Sequence, residues 1–502
     1  MDEVTFAAEL FTALTGEAAP ELPTWWEKNR WAIVARPHDG DKERPLYEVE
    51  GRTVHLNLHA GQMEAWESEQ RFVFIIAGTQ SGKTSFEPWL LVRDVFLEDY
   101  DTGEGGDSLA VTATYDLFNL KLLPAMREVF EDVLGIARWH GGERVLELRN
   151  PKTGEFDGKR ATDGHLMFGR IILRSASTSK SGKTSQTSDG GGLESATAKR
   201  AILDECGQDS FSFNAWKAIR RRLSLAQGRV YAGTTPYNLG WLKQMIYDPW
   251  EKKERNDVQI VQFASILNPA FSIEEYNSAR GEMQDHEFEM MYQGIFGRPH
   301  GAIYHMFDEK YKHDGGHKVA RFDVPKDWAR YEAVDPGIIN TAKLWVAYDN
   351  KDDVYYVYRA WMGERLTAKE HAVLDMELEK QNGERVIKRA IGAKSETYWR
   401  EDYKAAGASG VVGPDTNDVE EGIDRVVTLL KQHRMYFFDD LIELIGEVLS
   451  YSRIINELGE VTDDIRNKSA YHLVDSLRYM AILLVKGRDR KSRQAESVSY
   501  VK

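Results

Sequence analysis

The sequence contains a single cysteine, Cys206, among 502 residues. One cysteine cannot form an intramolecular disulfide and cannot build a cysteine-based zinc site, so the sequence excludes both kinds of cross-link. A chain without disulfides suits a reducing compartment, and we expect a cytoplasmic protein. We interpret Cys206 itself as a small buried residue that follows a strand.

Long apolar runs are absent as well. The most apolar stretches are short and interrupted by charged residues, so the sequence predicts no membrane-spanning helix. The first residues, MDEVTFAAELF, are acidic where a secretory signal would be basic, and export is not expected. We therefore expect no membrane partner.

Basic residues are outnumbered, and the formal net charge is −15. An acidic chain is a poor nonspecific binder of nucleic acid as a whole, although it can carry a local basic surface. Two segments are candidates: residues 215–229 hold five basic side chains and no acid, and residues 486–493 hold five basic side chains and one acid. The alternative for each segment is an ordinary solvated surface.

The length predicts several domains, because one ordinary hydrophobic core does not extend over 502 residues. Between residues 72 and 232, near-continuous apolar or β-branched runs alternate with helical patterns, which is typical of parallel strands covered on both faces. A second α/β region begins at Arg330 with strands of stronger alternation. We predict a lead-in at 1–50, a first domain at 51–300, a linker at 301–324, a second domain at 325–487 and a disordered basic tail at 488–502.

A phosphate-binding motif stands in the first domain. The apolar strand at 72–76 is followed by AGTQSGKT and then by an amphipathic helical pattern. Backbone amides in such a turn and at the start of such a helix face an anion. We expect Lys83 to reach the β- and γ-phosphates of ATP and the Thr84 hydroxyl to bind Mg²⁺. The other residues of the predicted nucleotide loop are Gly78, Thr79, Gln80, Ser81 and Gly82.

Two acids follow another apolar strand, in AILDE. Asp204 at the strand end would support the Mg²⁺ ion, and Glu205 would orient and activate the attacking water as a general base. The alternative is a strand that merely ends in exposed carboxylates.

Residues on either side of these motifs complete the predicted site. Gln62 could read the edge of adenine, while a solvent-facing helical glutamine is the alternative. Thr234 and Thr235, in AGTTP, stand where a γ-phosphate sensor would lie, while a simple turn built on their hydroxyls is the alternative.

The second domain carries a separate set of acids. Asp335 lies where an apolar strand enters a turn, and Asp475 lies on a helical pattern with His472 one turn earlier. Carboxylates from a strand and from a late helix can hold two Mg²⁺ or Mn²⁺ ions, which stabilise the attacking and leaving oxygens of phosphodiester cleavage. From the residues alone, a turn cap and a solvated helical acid remain the alternative.

The five letters SGKTS occur a second time, at 181–185. There the downstream sequence is QTSDGGG, which is not an amphipathic helix. Without that helix no row of oriented amides faces a phosphate. We predict that Lys183 does not bind nucleotide and that residues 175–188 form a mobile loop facing DNA or another subunit.

The order of these motifs resembles the large terminase subunit of tailed bacteriophages, a DNA-packaging motor. The resemblance runs over about residues 55–485 and rests on the Gln62 region, AGTQSGKT, AILDE, AGTTP, AVDPG and YHLVDSLRY. It implies an α/β chain with an N-terminal P-loop (RecA/ASCE-like) ATPase domain built on a parallel sheet and a C-terminal ribonuclease-H-like nuclease domain. It further implies that ATP hydrolysis drives double-stranded DNA into a procapsid and that a two-metal endonuclease cuts concatemeric DNA.

The resemblance leaves two positions open. Such nucleases carry a middle acid at the end of a later strand; Glu396 is the preferred residue here, and Asp415 is its rival. Relatives also place an arginine finger shortly before the acidic pair. Arg174 or Arg200 could substitute, or a neighbouring subunit could supply the arginine.

The implied partners are double-stranded DNA, the portal protein, the small terminase subunit and further copies of the chain. The copies would form a ring, a pentamer, on the portal, and a monomer is the alternative for the free protein. The implied location is the host cytoplasm and, transiently, the portal vertex of the procapsid. Two other classes remain open: a helicase-like ATPase whose second domain is only structural, and a scaffold that retains nucleotide motifs for regulation.

Overall fold

The computed structural model describes residues 24–157, 168–176, 197–299, 301–337, 340–363, 365–455 and 461–485. The chain divides into two compact units, Met1–Tyr237 with Met245–Phe296, and Asn238–Gln244 with Gly297–Lys502. Among the described residues, no helix combines the length and apolar character needed to cross a membrane. The second SGKTS copy and the predicted tail at 488–502 lie outside the described ranges.

The first unit contains eleven described strands and nine described α-helices. The strands are β1 (Ala32–Pro37), β2 (Tyr47–Glu50), β3 (Thr53–Leu58), β4 (Phe72–Ala77), β5 (Ser108–Thr112), β6 (Ala137–His140), β7 (Val145–Leu148), β8 (Arg170–Ser175), β9 (Arg200–Asp204), β10 (Arg229–Thr234) and β11 (Val258–Phe263). The α-helices are α1 (Trp25–Asn29), α2 (Ala60–Glu67), α3 (Lys83–Val95), α4 (Tyr115–Leu117), α5 (Leu123–Arg127), α6 (Phe213–Leu223), α7 (Asp248–Glu251), α8 (Ile273–Glu282) and α9 (Asp285–Phe288).

An eight-stranded sheet forms the centre of this unit, in the order β11-β4-β10-β9-β5-β8-β7-β6. The strands from β11 to β8 are parallel, and β7 and β6 are added antiparallel at one edge. Every residue of β4, β5 and β9 is buried, as expected for strands covered on both faces. The order β11-β4-β10-β9-β5 is the 5-1-4-3-2 order of a RecA/ASCE-like domain, and the predicted α/β class with a parallel sheet is confirmed.

The segment before this sheet contains strands, which the predicted lead-in at 1–50 did not include. Residues 32–58 form a three-stranded sheet in which β3 pairs parallel with β1 and antiparallel with β2. Val54 and Leu56 of β3 are fully buried in the core of the unit. The strands β1 and β2 are partly exposed throughout and therefore lack the apolar run by which a strand is recognised.

The second unit contains nine described strands and five described α-helices. The strands are β12 (Lys318–Val319), β13 (Ala329–Asp335), β14 (Thr341–Asp349), β15 (Val354–Gly363), β16 (Val386–Ile391), β17 (Val411–Val412), β18 (Met435–Phe438), β19 (Arg453–Ile455) and β20 (Val461–Ile465). The helices are α10 (Ala368–Asn382), α11 (Thr397–Ala405), α12 (Val419–Lys431), α13 (Ile442–Ser450) and α14 (His472–Leu484).

Its seven-stranded sheet has the order β12-β18-β15-β14-β13-β16-β17. The strands β13, β14 and β15 form an antiparallel meander, and β16 and β17 follow parallel to β13. The inner order is therefore 3-2-1-4-5, with only the second strand reversed, which is the arrangement of a ribonuclease-H-like domain. One core cluster joins Val334 and Ile391 of the sheet to α10 and α11.

The predicted linker at 301–324 is part of this second unit. The strand β12 extends the sheet by pairing with β18, and Ala302 forms a β-bridge with Ser452. The first unit ends at residue 296, whereas the predicted first domain ended at residue 300. The second unit also contains residues 238–244. Gln244 Nε2 donates to the carbonyl oxygen of Ile442 at 3.2 Å within that unit. Sequence patterning missed these pairings because β12 has only two residues.

Candidate active sites

The phosphate-loop motif connects β4 to α3 in the first unit. Gly82 has a φ of +84° and precedes the first helical residue, so this position favours glycine. A Cβ at Gly78 would overlap the hydroxyl of Ser265 and the carbonyl of Tyr292. The amide of Gly78 donates to the carbonyl of Phe263 at 3.0 Å. These contacts hold the loop against the rest of the unit at the carboxyl end of β4.

Lys83 lies inside this loop and is almost fully buried. Its Nζ donates to the carbonyl oxygens of Ala77 at 3.1 Å and Gly78 at 2.8 Å, and to the hydroxyls of Ser81 and Thr235 at 3.3 Å each. Burial lowers the pKa of Lys83, and nearby carboxylates partly oppose that shift. All four hydrogen-bond acceptors of the ammonium are therefore neutral oxygens, and phosphate oxygens at this position would be stronger acceptors.

Thr84 and Asp204 meet across the site. Thr84 Oγ1 donates to Asp204 Oδ1 at 3.0 Å, which joins the start of α3 to the end of β9. The other oxygen, Asp204 Oδ2, is buried and has no hydrogen-bond partner within the described ranges. Burial, together with the charge of Glu205, raises the pKa of Asp204 to about 7. A hydroxyl beside an unpartnered carboxylate oxygen fits the oxygen ligands that Mg²⁺ prefers.

Glu205 follows Asp204 with a φ of +57°, a strained conformation for a residue other than glycine. Its amide donates to the carbonyl of Gly233 at 2.8 Å, and its Oε2 accepts from the amide of Thr235 at 3.5 Å. Tyr237 also bonds to the Glu205 side chain, and burial followed by that charge raises the pKa of Tyr237 to about 12. The turn thus directs Glu205 away from the strand axis and toward the loop that holds Thr235.

The two threonines of AGTTP have different environments. Thr235 contacts both Lys83 and Glu205. Thr234 Oγ1 instead accepts from the amide of Gly207 at 2.9 Å and donates to the carbonyl of Thr235. Thr235 is therefore adjacent to the groups expected to surround the γ-phosphate, and Thr234 stabilises the turn after Glu205.

Gln62 lies on α2 with only 3% of its surface exposed. Its Oε1 accepts from the amide of His59 and its Nε2 donates to the carbonyl of Gly82, both at 3.3 Å. His59 in turn bonds to the carbonyl of Ser81 at 3.2 Å, and burial lowers the pKa of His59 to about 4, so the ring is neutral. Through Nε2, Gln62 therefore supports the phosphate loop, and through Oε1 it caps the start of its own helix. Its predicted contact with adenine stays a prediction. His59 was not predicted.

The two arginine-finger candidates lie in other environments. Arg200 begins β9, four residues or about 13 Å along the strand from Asp204. It is 1% exposed and forms ion pairs with Glu98 and Asp99 at 2.7 Å, so its predicted role as a finger in its own subunit is wrong. Arg174 donates to the backbone carbonyl oxygen of Leu173 at 2.8 Å. It also makes longer contacts with the backbone carbonyl oxygens of Glu143 and Arg144.

Asp335 ends β13 in the second unit and meets α14. Its amide donates to Ser476 Oγ at 3.1 Å, and Ser476 Oγ donates to the carbonyl of Ala342 at 2.9 Å. The Asp335 carboxylate lies 3.3 Å from His472 Nδ1. Burial raises the pKa of Asp335, and the charge of Asp475 adds to this, while His472 opposes it. The structure therefore brings Asp335, His472 and Asp475 together.

The two candidates for the middle acid are separated. Glu396 precedes α11, accepts from the amide of Ala393 at 2.6 Å, and has its pKa raised by burial and by the charge of Asp335. Asp415 instead forms an ion pair with Arg425 at 3.1 Å, and its side chain is 56% exposed. The structure thus brings Glu396, rather than Asp415, into electrostatic contact with Asp335.

The donor chemistry of this cluster suits Mg²⁺ or Mn²⁺, since carboxylates are the preferred ligands. Its present geometry is open, however: the described ranges contain no group of three or more His, Cys, Asp or Glu side chains that could hold a metal ion. Asp335 contacts His472, and Asp475 is paired with Arg478. Asp335 and Asp475 thus each have a side-chain partner in this structure, and their role as metal ligands stays a prediction.

Three further residues near the sites were not predicted. Glu87 on α3 is completely buried beside the ATPase residues. Glu447 on α13 accepts from the amide of Val474 at 2.9 Å and so holds the first turn of α14. Tyr479 lies one turn after Asp475, and the charges of Asp335, Asp475 and Glu396 raise its pKa after burial. An acid or tyrosine on an otherwise apolar helical stretch was the only indication in the sequence.

Comparisons with known proteins identify similar structures but no matching sequence. No family model matches the chain, and no curated protein matches it. The large terminase of a thermophilic bacteriophage, solved in complex with ADP, is 16% identical, with 86% of this chain and 100% of that chain covered and a TM-score of 0.39.

Two solved single domains also match. The ATPase domain of the Thermus phage P74-26 large terminase is 21% identical, covering 48% of this chain and 95% of that chain with a TM-score of 0.37. The P22 large terminase nuclease domain is 19% identical, covering 37% of this chain and 95% of that chain with a TM-score of 0.28. At this level of similarity, function has to be inferred from the two sites themselves.

Proposed function

We propose that this chain is the large subunit of a phage terminase, which uses ATP hydrolysis to move double-stranded DNA into a procapsid and cuts concatemeric DNA. One observation carries the proposal: the Thr84–Asp204 hydrogen bond joins the phosphate loop to the acidic strand within a 5-1-4-3-2 sheet. The same chain has a ribonuclease-H-like sheet with acids gathered at the end of β13. An ATPase and a nuclease in one chain are what a packaging motor needs.

The ATPase step follows from the positions of the side chains. Lys83 binds the β- and γ-phosphates, and Thr84 with Asp204 would hold Mg²⁺, which would supply positive charge beside those phosphates. Glu205 accepts a proton from water as the water oxygen bonds to the γ-phosphorus and the bond to ADP breaks. Thr235 contacts Lys83 and Glu205, so the loss of the γ-phosphate changes the contacts of residues 233–237.

In the nuclease assignment, Asp335, Glu396 and Asp475 would be ligands of Mg²⁺ or Mn²⁺. Asp335 ends β13, Glu396 immediately precedes α11, and Asp475 lies on α14. The donor set supports metal-dependent cleavage of a phosphodiester. On binding an ion, Asp335 would exchange its contact with His472, and Asp475 its contact with Arg478, for the metal.

The packaging role extends to partners. DNA contacts of a motor fall mainly on phosphates, so binding should weaken steeply with salt. Residues 215–229 supply a basic surface for this purpose, with α6 as its helix. The portal protein and the small terminase subunit complete the assembly, in which copies of this chain form a ring, a pentamer, on the portal. Another copy supplies the arginine finger, and the complex works in the host cytoplasm at the portal vertex.

Two variants of the full-length chain test the two activities separately. Glu205→Gln should lose DNA-stimulated ATP hydrolysis and keep cleavage of plasmid with Mn²⁺, and Asp335→Asn should show the reverse. Unchanged hydrolysis in Glu205→Gln contradicts the ATPase assignment. Cleavage that persists in Asp335→Asn contradicts the nuclease assignment and leaves an ATPase whose second domain is structural.

A further inference from the structure

A buried carboxyl group on the phosphate-loop helix has no part in the proposed chemistry. Glu87 lies one turn after Lys83 on α3 and is 0% exposed. Neither of its oxygens forms a hydrogen bond of ordinary geometry within the described part of the chain. A buried polar group without a partner is costly, so its position requires an explanation.

The Glu87 carboxyl packs against the backbone of Gly233. A Cβ added to Gly233 would overlap Glu87 Oε1, would lie 3.1 Å from Glu87 Cδ, and would lie 3.6 Å from Lys83 Cβ. Gly233 has no left-handed φ that would demand glycine. Its lack of a side chain is therefore explained by the close approach of Glu87 and not by backbone conformation.

Gly233 in turn contacts the catalytic carboxylate. Its carbonyl oxygen accepts from the amide of Glu205 at 2.8 Å, at the turn where Glu205 has its strained φ of +57°. Gly233 also precedes the two threonines of AGTTP. A displacement of Gly233 thus moves the backbone that sets the direction of Glu205.

The electrostatic surroundings agree with a neutral packing group. Burial raises the pKa of Glu87 well above its ordinary value, and Asp204 and Glu205 raise it further, while Lys83 and the Gly233 amide oppose them. A protonated carboxyl can lie beside two other acids without a repulsive charge.

We infer that Glu87 is a positioning residue, which sets the location of the general base Glu205 through the backbone of Gly233. The inference rests on the proposed ATPase function. Glu87 does not touch the nucleotide in this scheme, so it should affect turnover and not ATP binding. A displacement of a catalytic group by about 1 Å can cost roughly 100-fold in rate.

Steady-state ATPase assays on the full-length chain test this inference. Glu87→Ala should lower kcat by about 10- to 100-fold with the Kd for ATP unchanged within about twofold. Glu87→Gln, which keeps the shape without a charge, should retain most of the wild-type kcat. A Glu87→Ala variant with unchanged kcat, or with kcat and ATP affinity lost in parallel, overturns the inference.

A second pair of variants uses the steric contact directly. Gly233→Ala should lower kcat because its methyl group overlaps Glu87, and the double variant Glu87→Ala/Gly233→Ala should recover activity because the methyl group fills the vacated space. Gly281→Ala is the matched control, because an added Cβ there meets no atom within 4 Å. A double variant no more active than Gly233→Ala rejects the contact as the cause.

The parent assignment is tested in the same assays. If Glu205→Gln leaves hydrolysis unchanged, the proposed ATPase mechanism fails first. If Glu205→Gln is inactive while Glu87→Ala is fully active, only the positioning role of Glu87 is wrong.

Discussion

Replacing Arg200 with methionine distinguishes a structural arginine from a catalytic one. The guanidinium is 1% exposed and pairs with Asp99 through two nitrogens, at 2.7 and 2.8 Å, and with Glu98 at 2.7 Å. Asp99 is itself 0% exposed, so Arg200→Met leaves a buried carboxylate whose one remaining ion-pair partner among the described residues is Lys199, at 3.2 Å. We expect the unfolding free energy of the first unit to fall by about 3 kcal/mol, the lower end of the cost of breaking a buried ion pair.

The assay is thermal or urea unfolding, together with ATP hydrolysis measured well below the transition. A loss of about 3 kcal/mol in a unit of this size corresponds to a decrease in Tm of roughly 5 °C. The folded Arg200→Met protein should still hydrolyse ATP, because Arg200 lies about 13 Å along β9 from Asp204. The double variant Arg200→Met/Asp99→Asn should regain part of the stability, since no unpaired charge is then buried.

Arg174→Met provides the matched control, because Arg174 forms no carboxylate ion pair within the described residues and donates to carbonyl oxygens. Its unfolding free energy should change by less than about 1 kcal/mol. The reasoning is refuted if Arg200→Met keeps the wild-type Tm and loses ATPase activity, which is the behaviour of an arginine finger.

Three further predictions concern the candidate sites. Lys83→Ala should lower ATP hydrolysis by about 100-fold or more. Lys183→Ala, in the second SGKTS copy, should leave the ATPase activity of the isolated subunit intact. The opposite pattern would reverse the choice of nucleotide site. Glu396→Gln should reduce plasmid cleavage by roughly 10- to 100-fold, and Asp415→Asn should leave it unchanged. A loss of cleavage confined to Asp415→Asn would identify Asp415 as the middle acid. Gln62→Ala should raise the KM for ATP and for GTP alike, by about tenfold, because it removes the bond from Nε2 to the Gly82 carbonyl that supports the loop. A change confined to ATP would support the adenine-reading role.

The local motifs could be predicted because their geometry depends on neighbouring residues. The phosphate loop needs a strand, a turn containing Gly82 and a helix that begins at Lys83, and all three lie within about twenty residues of sequence. The buried parallel strands could be recognised for a related reason, since β4 is apolar throughout and β9 has an apolar centre, Ala201 to Leu203. The strands β1, β2 and β12 were missed because short, partly exposed strands have no such pattern.

Residue roles that depend on distant partners could not be predicted in this way. Glu396 and Asp415 both follow strands of the second unit, and nothing near them in sequence says that one approaches Asp335 while the other pairs with Arg425. Arg200 stands just before AILDE, as a finger candidate would, yet its partners Glu98 and Asp99 lie about a hundred residues earlier. The same holds for Gln62, whose bond to Gly82 joins α2 to the phosphate loop.

The sequence by itself determined four features: a phosphate loop, a strand that ends in acids, a late helix that carries Asp475, and an α/β architecture. Each depends on strand burial, turn chemistry or helix periodicity, and these patterns are visible in consecutive residues. Only the tertiary structure decided which carboxylates meet, that Arg200 is a buried ion-pair partner, and that Glu87 contacts Gly233. Those contacts arise when the sheets bring together residues that are far apart in sequence, and their energies depend on burial, which a linear pattern does not specify.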